Sequence, residues 1–153
     1  EATKMIQTGA SVEDILKRIQ LMSENMKSAI IIDTLKYLVK GGRLSKTQGA
    51  AGSLLNLKPI IKIQDGVVET VHKARGKAKA VRWIMDWIKE GGYDLSNKTV
   101  FVLNSNDPEF GDKIKDTLLE NFQVKEVIQA QIGSVVGTHS GPGCGGVMFC
   151  AID

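Results

Sequence analysis

The chain has 153 residues, which is enough for one ordinary domain with a hydrophobic core. Its 42% hydrophobic residues, 24% charged residues and net charge of +3 are typical of a soluble domain. No apolar run approaches the roughly 18 residues of a membrane span, and no signal-peptide pattern opens the chain. Two cysteines, Cys144 and Cys150, are too few for a secreted disulfide framework, so we expect a reduced, cytoplasmic protein. With two histidines and no C-x-x-C pair, a zinc site is not expected.

Predicted helices and strands alternate through the first half of the chain. Residues 1–8 predict the end of a helix that stops at Gly9, and Ser11 is the expected N-cap of the next helix. A short apolar run predicts a buried strand over 29–32. A short helix over 33–39 should follow and end at the next two glycines, and Ser45 should cap a further helix over 46–55.

The second half adds one hairpin and then repeats the alternation. The turn signal Asp65-Gly66 predicts that strands over 58–63 and 67–71 pair with each other. The remaining predicted elements, in order, are a helix over 78–88, a strand over 99–103, a helix over 107–122, and strands over 125–132 and 147–151. This order predicts an α/β domain with a mixed, largely parallel sheet, a β-hairpin and flanking helices.

A basic run without any acid lies between Val71 and Arg82. It contains His72 and five cationic residues: Lys73, Arg75, Lys77, Lys79 and Arg82. Such a run is often a solvated face, and the alternative is a docking surface for an acidic partner or for phosphate groups. Nucleic acid is not the expected partner because the run has no interleaved aromatic residues.

The glycine-rich stretch 136–146 is predicted to be a loop, and it contains His139. Such a loop can turn sharply or offer N–H groups to an anion, and a titratable ring beside it suits a carboxylate or phosphate. The alternative is a tight turn before the last strand. The glycines at 141, 143 and 146 have the spacing of a dinucleotide motif, but a strand follows them instead of a helix, so we reject that interpretation. Cys144 leaves open a nucleophilic pair with His139.

A second polar loop, Gly41-Gly42-Arg43, precedes the predicted cap Ser45. Arg43 offers paired donors to a carboxylate or phosphate, and the next helix would direct free N–H groups at the same anion. The alternative is an exposed arginine at a corner between two helices. Ligands of α/β sheets favour loops beyond the carboxyl ends of strands, so the loops that carry Arg43 and His139 could lie there.

These segments together resemble the DegV family of bacterial fatty-acid-binding proteins. The resemblance is carried, in order, by DTLKYLVKGGRLS (33–45), GSLLNLKPI (52–60), DG (65–66), RGK (75–77) and GTHSGPG (137–143). It covers nearly the whole chain and implies the second of two α/β domains. Residues 1–26 would then be a helical lead-in from a missing N-terminal domain, and residues 27–153 the C-terminal lipid-binding domain.

The resemblance also implies a function. In this family a long-chain fatty acid lies with its carboxylate at the domain junction, and the protein presents it to a separate fatty acid kinase that makes acyl phosphate. The protein would be a carrier, not an enzyme, and would need no cofactor or metal. The implied headgroup residues are Arg43 and His139, with Thr138, Ser140 and Gly141 beside them. Apolar residues that could line an acyl slot are Leu54, Leu55, Ile60 and Met148. The basic run would dock the kinase.

Two other functions stay open. One is a phosphotransferase that uses His139 with Arg43, although no carboxylate is placed by the sequence to orient His139. The other is a plain protein-interaction domain that uses the basic run 71–82. We also expect the separated domain to self-associate through the surface that its missing partner domain would cover.

Overall fold

The computed structural model describes residues 1–43, 56–64 and 66–152. Its helices are α1 (Ala2–Gln7), α2 (Val12–Glu24), α3 (Lys36–Lys40), α4 (Lys77–Glu90), α5 (Pro108–Asn121) and α6 (Ser134–Ser140). Its strands are β1 (Met26–Ile31), β2 (Leu57–Gln64), β3 (Val67–Arg75), β4 (Thr99–Asn104), β5 (Glu126–Gln131) and β6 (Gly145–Cys150). Among the helices described, none has both the length and the apolar character that crossing a membrane requires.

The strands form one mixed sheet in the order β3-β2-β1-β6-β4-β5. β4 and β5 pair in parallel, while the other four pairings are antiparallel. The predicted α/β class, the hairpin and the flanking helices are therefore confirmed, and parallel pairing is less extensive than predicted. The reason is the last strand: β6 inserts between β1 and β4, antiparallel to both, instead of adding to an edge.

The main core lies on the face of the sheet that α4 and α5 cover. Helix α4 buries Ala80, Val81, Ile84, Met85 and Ile88 at helical spacing, as its apolar periodicity predicted. Successive strand residues point to opposite faces, so Ile31 joins this core while Ile30 and Ile32 join a smaller cluster on the other face. That smaller cluster includes Leu38 and Cys144 and lies beneath the candidate site.

The predicted cap of α2 is confirmed. Ser11 accepts the N–H of Asp14 at 3.1 Å and caps α2, as predicted.

The glycine-rich stretch, in contrast, is not one loop, because residues Ser134–Ser140 form α6. The N–H of Gly137 bonds to the Gly133 carbonyl and the N–H of Gly141 to the Gly137 carbonyl, both at 2.8 Å. These helical bonds offset the conformational entropy that glycine loses on folding. Only residues 141–144 of the stretch lie between α6 and β6.

Asp107 secures the start of α5 in two ways. Its carboxylate accepts the N–H of Phe110 at 3.1 Å, which caps the helix, and it pairs with the Lys77 ammonium at 2.6 Å. That ammonium also lies 4.2 Å from the centre of the Phe110 ring. The hydrogen bond from Lys77, with a smaller contribution from the Phe110 N–H, holds the pKa of Asp107 below its ordinary value. The pair joins α4 to α5.

We expect this pair to make stability depend on acid pH. Because the pKa of Asp107 is lower in the folded state than in the unfolded state, its contribution is complete above about pH 4 and is lost as the pH falls through the folded value. Asp107→Asn, which retains a capping side chain, should flatten the acid limb of stability against pH, and Lys77→Met should do the same. Asp107→Ala should cost about 1 kcal/mol more through loss of the cap. Urea unfolding from pH 3 to 7 measures this, and an unchanged acid limb in Asp107→Asn would contradict it.

Candidate functional site

The carboxyl ends of α3 and α6 meet, and this junction brings His139 to the loop that holds Arg43. The His139 ring lies directly on Gly41: a β-carbon on that glycine would be 2.9 Å from Cε1 of the ring and closer still to Nδ1. The ring of Tyr37 lies in the same way on Gly141. The glycines therefore serve close approach between two helix ends.

The Arg43 side chain bonds to the same glycine. Its Nη1 donates to the carbonyl oxygen of Gly41 at 2.7 Å, and its own N–H bonds to the Leu38 carbonyl at 2.9 Å. The side chain is exposed, and the guanidinium has further N–H donors beyond the one that Gly41 accepts. Gly41 thus contacts both candidate headgroup residues, so the structure brings Arg43 and His139 together.

Two buried polar atoms at this junction lack a partner. Within the described residues, neither Nδ1 of His139 nor Oγ of Ser140 makes a hydrogen bond. Buried polar atoms in folded proteins almost always have one, because leaving a buried donor or acceptor unpaired costs about 1–3 kcal/mol. The hydrogen-bonding capacity of both atoms is therefore unused within the described residues. His139 lies in the last turn of α6.

The neighbours of His139 do not form the backbone anion site that the glycine content predicted. The Gly141 N–H bonds within α6, and the Gly143 N–H bonds to the Ser105 carbonyl, each at 2.8 Å. The Thr138 hydroxyl donates to the Ser134 carbonyl at 2.8 Å and is exposed. The expectation that this loop offers its N–H groups to an anion is wrong for these two glycines, because the fold uses both groups. Neither of these two N–H groups is free to bind a headgroup.

Beneath the junction lie an ion pair and a thiol. Lys58 donates to the Asp33 carboxylate at 2.7 Å and to its carbonyl at 3.1 Å, and the Asp33 side chain packs against Gly143. Cys144 is fully buried and its Sγ donates to the Ser140 carbonyl at 3.0 Å. Burial raises the pKa of the Cys144 thiol, so it stays protonated at neutral pH and is a poor nucleophile. This removes the nucleophilic Cys–His pair that the sequence left open.

The residues proposed for an apolar slot do not share one surface. Ile60 is 0% exposed and belongs to the core under α4 and α5. Met148 is half-buried and alternates with two residues of that core, Val147 and Phe149, so it faces the other side of the sheet. It also borders an open cavity of about 490 Å³. Leu54, Leu55 and the predicted cap Ser45 lie outside the described residues.

The basic run folds into a groove between β3 and α4. The groove has a volume of about 370 Å³, and its lining includes His72, Lys73, Arg75, Lys79, Arg82, Trp83 and Asp86. The His72 and Trp83 rings stack with centroids 5.1 Å apart and planes 10° apart, and Trp87 continues the stack at 6.5 Å. Lys77 is set apart by its pair with Asp107.

Sequence reasoning missed two features here. It did not anticipate the aromatic stack of His72, Trp83 and Trp87 beside the cations. It also missed Tyr37 as part of the headgroup junction, although it named the loop that contains Gly41. The available signal was the spacing of Tyr37 and Gly41, four residues apart and therefore on one helix face.

Known proteins resemble this chain along nearly its whole length. The family model described as "Uncharacterised protein, DegV family" matches residues 1–151. A DegV domain-containing protein from Caldanaerobacter subterraneus is 36% identical over 149 residues, which cover 97% of this chain and 53% of the relative. The chain thus spans about half the length of the curated relatives it matches.

Two solved structures have the same fold. A DegV lipid binding protein from Thermotoga maritima superposes with a TM-score of 0.85 at 26% identity, covering 97% of this chain and 52% of that one. The Fatty Acid Kinase (Fak) B3 protein of Streptococcus pneumoniae, solved loaded with linoleic acid, also gives a TM-score of 0.85 at 26% identity. It covers 99% of this chain and 53% of that one.

Proposed function

Because this chain belongs to the DegV family, we propose that the protein binds a long-chain fatty acid and presents its carboxylate to a separate fatty acid kinase for acyl phosphate formation. The observation that carries the proposal is the meeting of Arg43 and His139 on Gly41, with the Nδ1 of His139 unpaired within the described residues. The ligands named for the two solved relatives support the ligand class. The proposed location is the cytoplasm, where the free thiols of Cys144 and Cys150 stay reduced.

The chemistry of the junction suits a carboxylate. Arg43 supplies charged N–H donors, and its bond to the Gly41 carbonyl holds the guanidinium near the His139 ring. An imidazole can donate to a carboxylate and can also stabilise the additional charge that phosphorylation adds. The exposure of Arg43 leaves the headgroup within reach of a second protein. Within the described residues no carboxylate bonds to Nδ1 of His139, so the junction lacks the orienting group of a phosphotransferase histidine.

The ligand class can be tested on the natural protein at its full length. We expect organic extraction of the purified protein to release fatty acid, identified by mass spectrometry. After the ligand is stripped, oleate should bind with one equivalent per chain. Arg43→Ala should weaken this binding about 5- to 100-fold, the usual range for losing a partner of a charged group. The control is Arg18→Ala, because Arg18 lies on α2 and pairs with Glu1 instead. A protein that neither carries nor binds fatty acid would refute the proposed function.

The basic groove is the proposed docking surface for the kinase. Lys73, Arg75, Lys79 and Arg82 share it with stacked rings that offer apolar contact area. An acidic partner surface would be attracted to these cations over a longer range than neutral contacts allow. Lys77 belongs to the same sequence run, but its ammonium already pairs with Asp107.

Charge reversal tests the docking surface. Arg75→Glu with Arg82→Glu should slow association with the kinase about tenfold at low salt and reduce its salt dependence, while oleate affinity stays unchanged. Lys17→Glu with Lys113→Glu makes the same change in net charge on α2 and α5, and should leave the rate near wild type. Equal effects of the two double variants would mean that net charge, and not this groove, controls association.

Self-association of the isolated chain remains a prediction. Its candidate surface is the stripe on α2 formed by Val12, Leu16 and Ile19, which are 73%, 65% and 41% exposed. These residues lie on one face of the helix. Sedimentation should show a larger tendency to self-associate for the isolated chain than for the natural full-length protein.

A further inference from the structure

The junction between α3 and α6 is built from two reciprocal contacts of a ring with a glycine. Gly41 of the first helix end receives the His139 ring, and Gly141 of the second receives the Tyr37 ring. Tyr37 and Gly41 are one helical turn apart, and the Gly41 N–H bonds to the Tyr37 carbonyl at 2.8 Å. Each helix end therefore contributes one ring and one glycine, and the position of either ring is tied to the other.

Each contact joins a side-chain ring to a glycine backbone, so a β-carbon on either glycine would displace the ring that lies on it. A β-carbon on Gly41 would lie 2.9 Å from Cε1 and 3.2 Å from Cγ of His139. On Gly141 it would lie 2.6 Å from Cε2 and 2.9 Å from Cγ of Tyr37. Gly141 also has a φ of +78°, a conformation that other residues rarely adopt. Close ring contact and a left-handed backbone thus coincide at this glycine.

Helix α6 depends on this contact because it has little other packing. It is seven residues long, and isolated helices of that length are not stable in water. Of its residues, all of which the structure describes, Ser140 alone is buried, while Val135 and Val136 are 79% and 57% exposed. The helix is therefore secured at its carboxyl end, where Tyr37 covers Gly141 and His139 covers Gly41.

We infer that Tyr37 is a positioning residue for the headgroup site. By holding Gly141, its ring fixes the last turn of α6 and keeps the His139 imidazole on Gly41 beside Arg43. The ring makes this contact: within the described part of the chain, no hydrogen bond of the Tyr37 hydroxyl is found. A histidine held in place before the ligand arrives loses less conformational freedom on binding. This inference rests on the proposed function, and it adds a residue that holds the site without touching the ligand.

The test compares three variants of the natural full-length protein. Tyr37→Phe keeps the ring, Tyr37→Leu removes it, and Leu38→Ala damages the buried side of the same helix without touching α6. Two properties are measured: the affinity for oleate, and the imidazole NMR signals of His139 in the ligand-free protein. The His139 signals of the full-length protein are identified as those that disappear in His139→Gln.

We expect Tyr37→Phe to keep both the His139 signals and the oleate affinity within twofold of wild type. Tyr37→Leu should shift and broaden the His139 signals without ligand and weaken oleate binding about tenfold, and Gly141→Ala should do the same. Leu38→Ala should lower the unfolding midpoint by at least as much as Tyr37→Leu, because it opens a cavity in the core. At temperatures where Leu38→Ala is folded, this variant should keep the His139 signals and the oleate affinity near wild type.

Three results would overturn the inference. Equal losses in Tyr37→Phe and Tyr37→Leu would show that the hydroxyl contacts the ligand. Unchanged His139 signals in Tyr37→Leu would show that the ring does not fix the imidazole. The same His139 shift in Leu38→Ala would reduce Tyr37 to a general stability role. Failure of the wild-type protein to bind oleate would instead count against the proposed function, while the ligand-free spectra would still decide whether Tyr37 fixes the His139 ring.

Discussion

Replacing Gly146 by alanine is expected to disrupt the sheet at its centre. Gly146 lies in β6 opposite Ile30 of β1 and Leu103 of β4. A β-carbon there would be 2.8 Å from the Ile30 Cα and 3.0 Å from the Ala29 carbonyl carbon. These are backbone atoms of the neighbouring strand, so the contact can be relieved only by moving β6 away from β1. We expect a loss of about 3 kcal/mol in the free energy of unfolding, a large share of a typical domain's stability.

Urea unfolding followed by circular dichroism measures this loss. The matched control is Gly133→Ala, because no atom lies within 4 Å of its would-be β-carbon and its φ of −63° suits any residue. That variant should stay within about 0.5 kcal/mol of wild type. A wild-type midpoint for Gly146→Ala would mean that β6 does not lie against β1 as described.

Replacing His139 by alanine is expected to give the largest functional loss. The substitution removes the imidazole from the headgroup junction and leaves an open space above Gly41. Oleate affinity should fall about 5- to 100-fold, the range for losing a partner of a charged group. Acyl phosphate formation with the kinase supplied should fall further, because the phosphorylated headgroup carries more charge that the ring would help to stabilise.

The control for this prediction is Val135→Ala on the same helix. Val135 is 79% exposed, so its truncation changes α6 without changing the junction. Affinity is measured by titration of the stripped full-length protein, and transfer by the rate of acyl phosphate formation at saturating fatty acid. If His139→Ala binds and transfers at wild-type rates, His139 has no part in headgroup handling and the proposed site is misplaced.

Local patterns predicted most of the elements correctly. Ser11 caps α2 because a hydroxyl can accept the free N–H of Asp14, and Asp107 caps α5 in the same way. The turn signal at 65–66 predicted the hairpin, in which Gln64 pairs with Val67, although Asp65 itself lies outside the described residues. Helix caps and turns depend on residues a few positions apart, so short sequence patterns are enough to predict them.

The glycine-rich stretch shows where local patterns failed. Five glycines at 137–146 indicated a loop, which could be a tight turn or could offer N–H groups to an anion. In the structure three of these glycines have different neighbours from distant parts of the chain: Gly141 contacts Tyr37, Gly143 contacts Asp33, and Gly146 contacts Ile30. A glycine in a sequence indicates missing side-chain volume, but it does not say which group occupies the space.

The sequence by itself determined the alternation of helices and strands, the family, and the two polar residues on which the headgroup site was predicted. It did so because periodicity, caps and motifs are properties of short segments. The tertiary structure alone decided the antiparallel insertion of β6, the opposite faces of Ile60 and Met148, and the aromatic stack beside the basic groove. It also placed the His139 ring on Gly41 at the end of α3 and the Tyr37 ring on Gly141 at the end of α6. These features join residues far apart in the chain, and their pairing depends on strand order and on how closely two backbones approach.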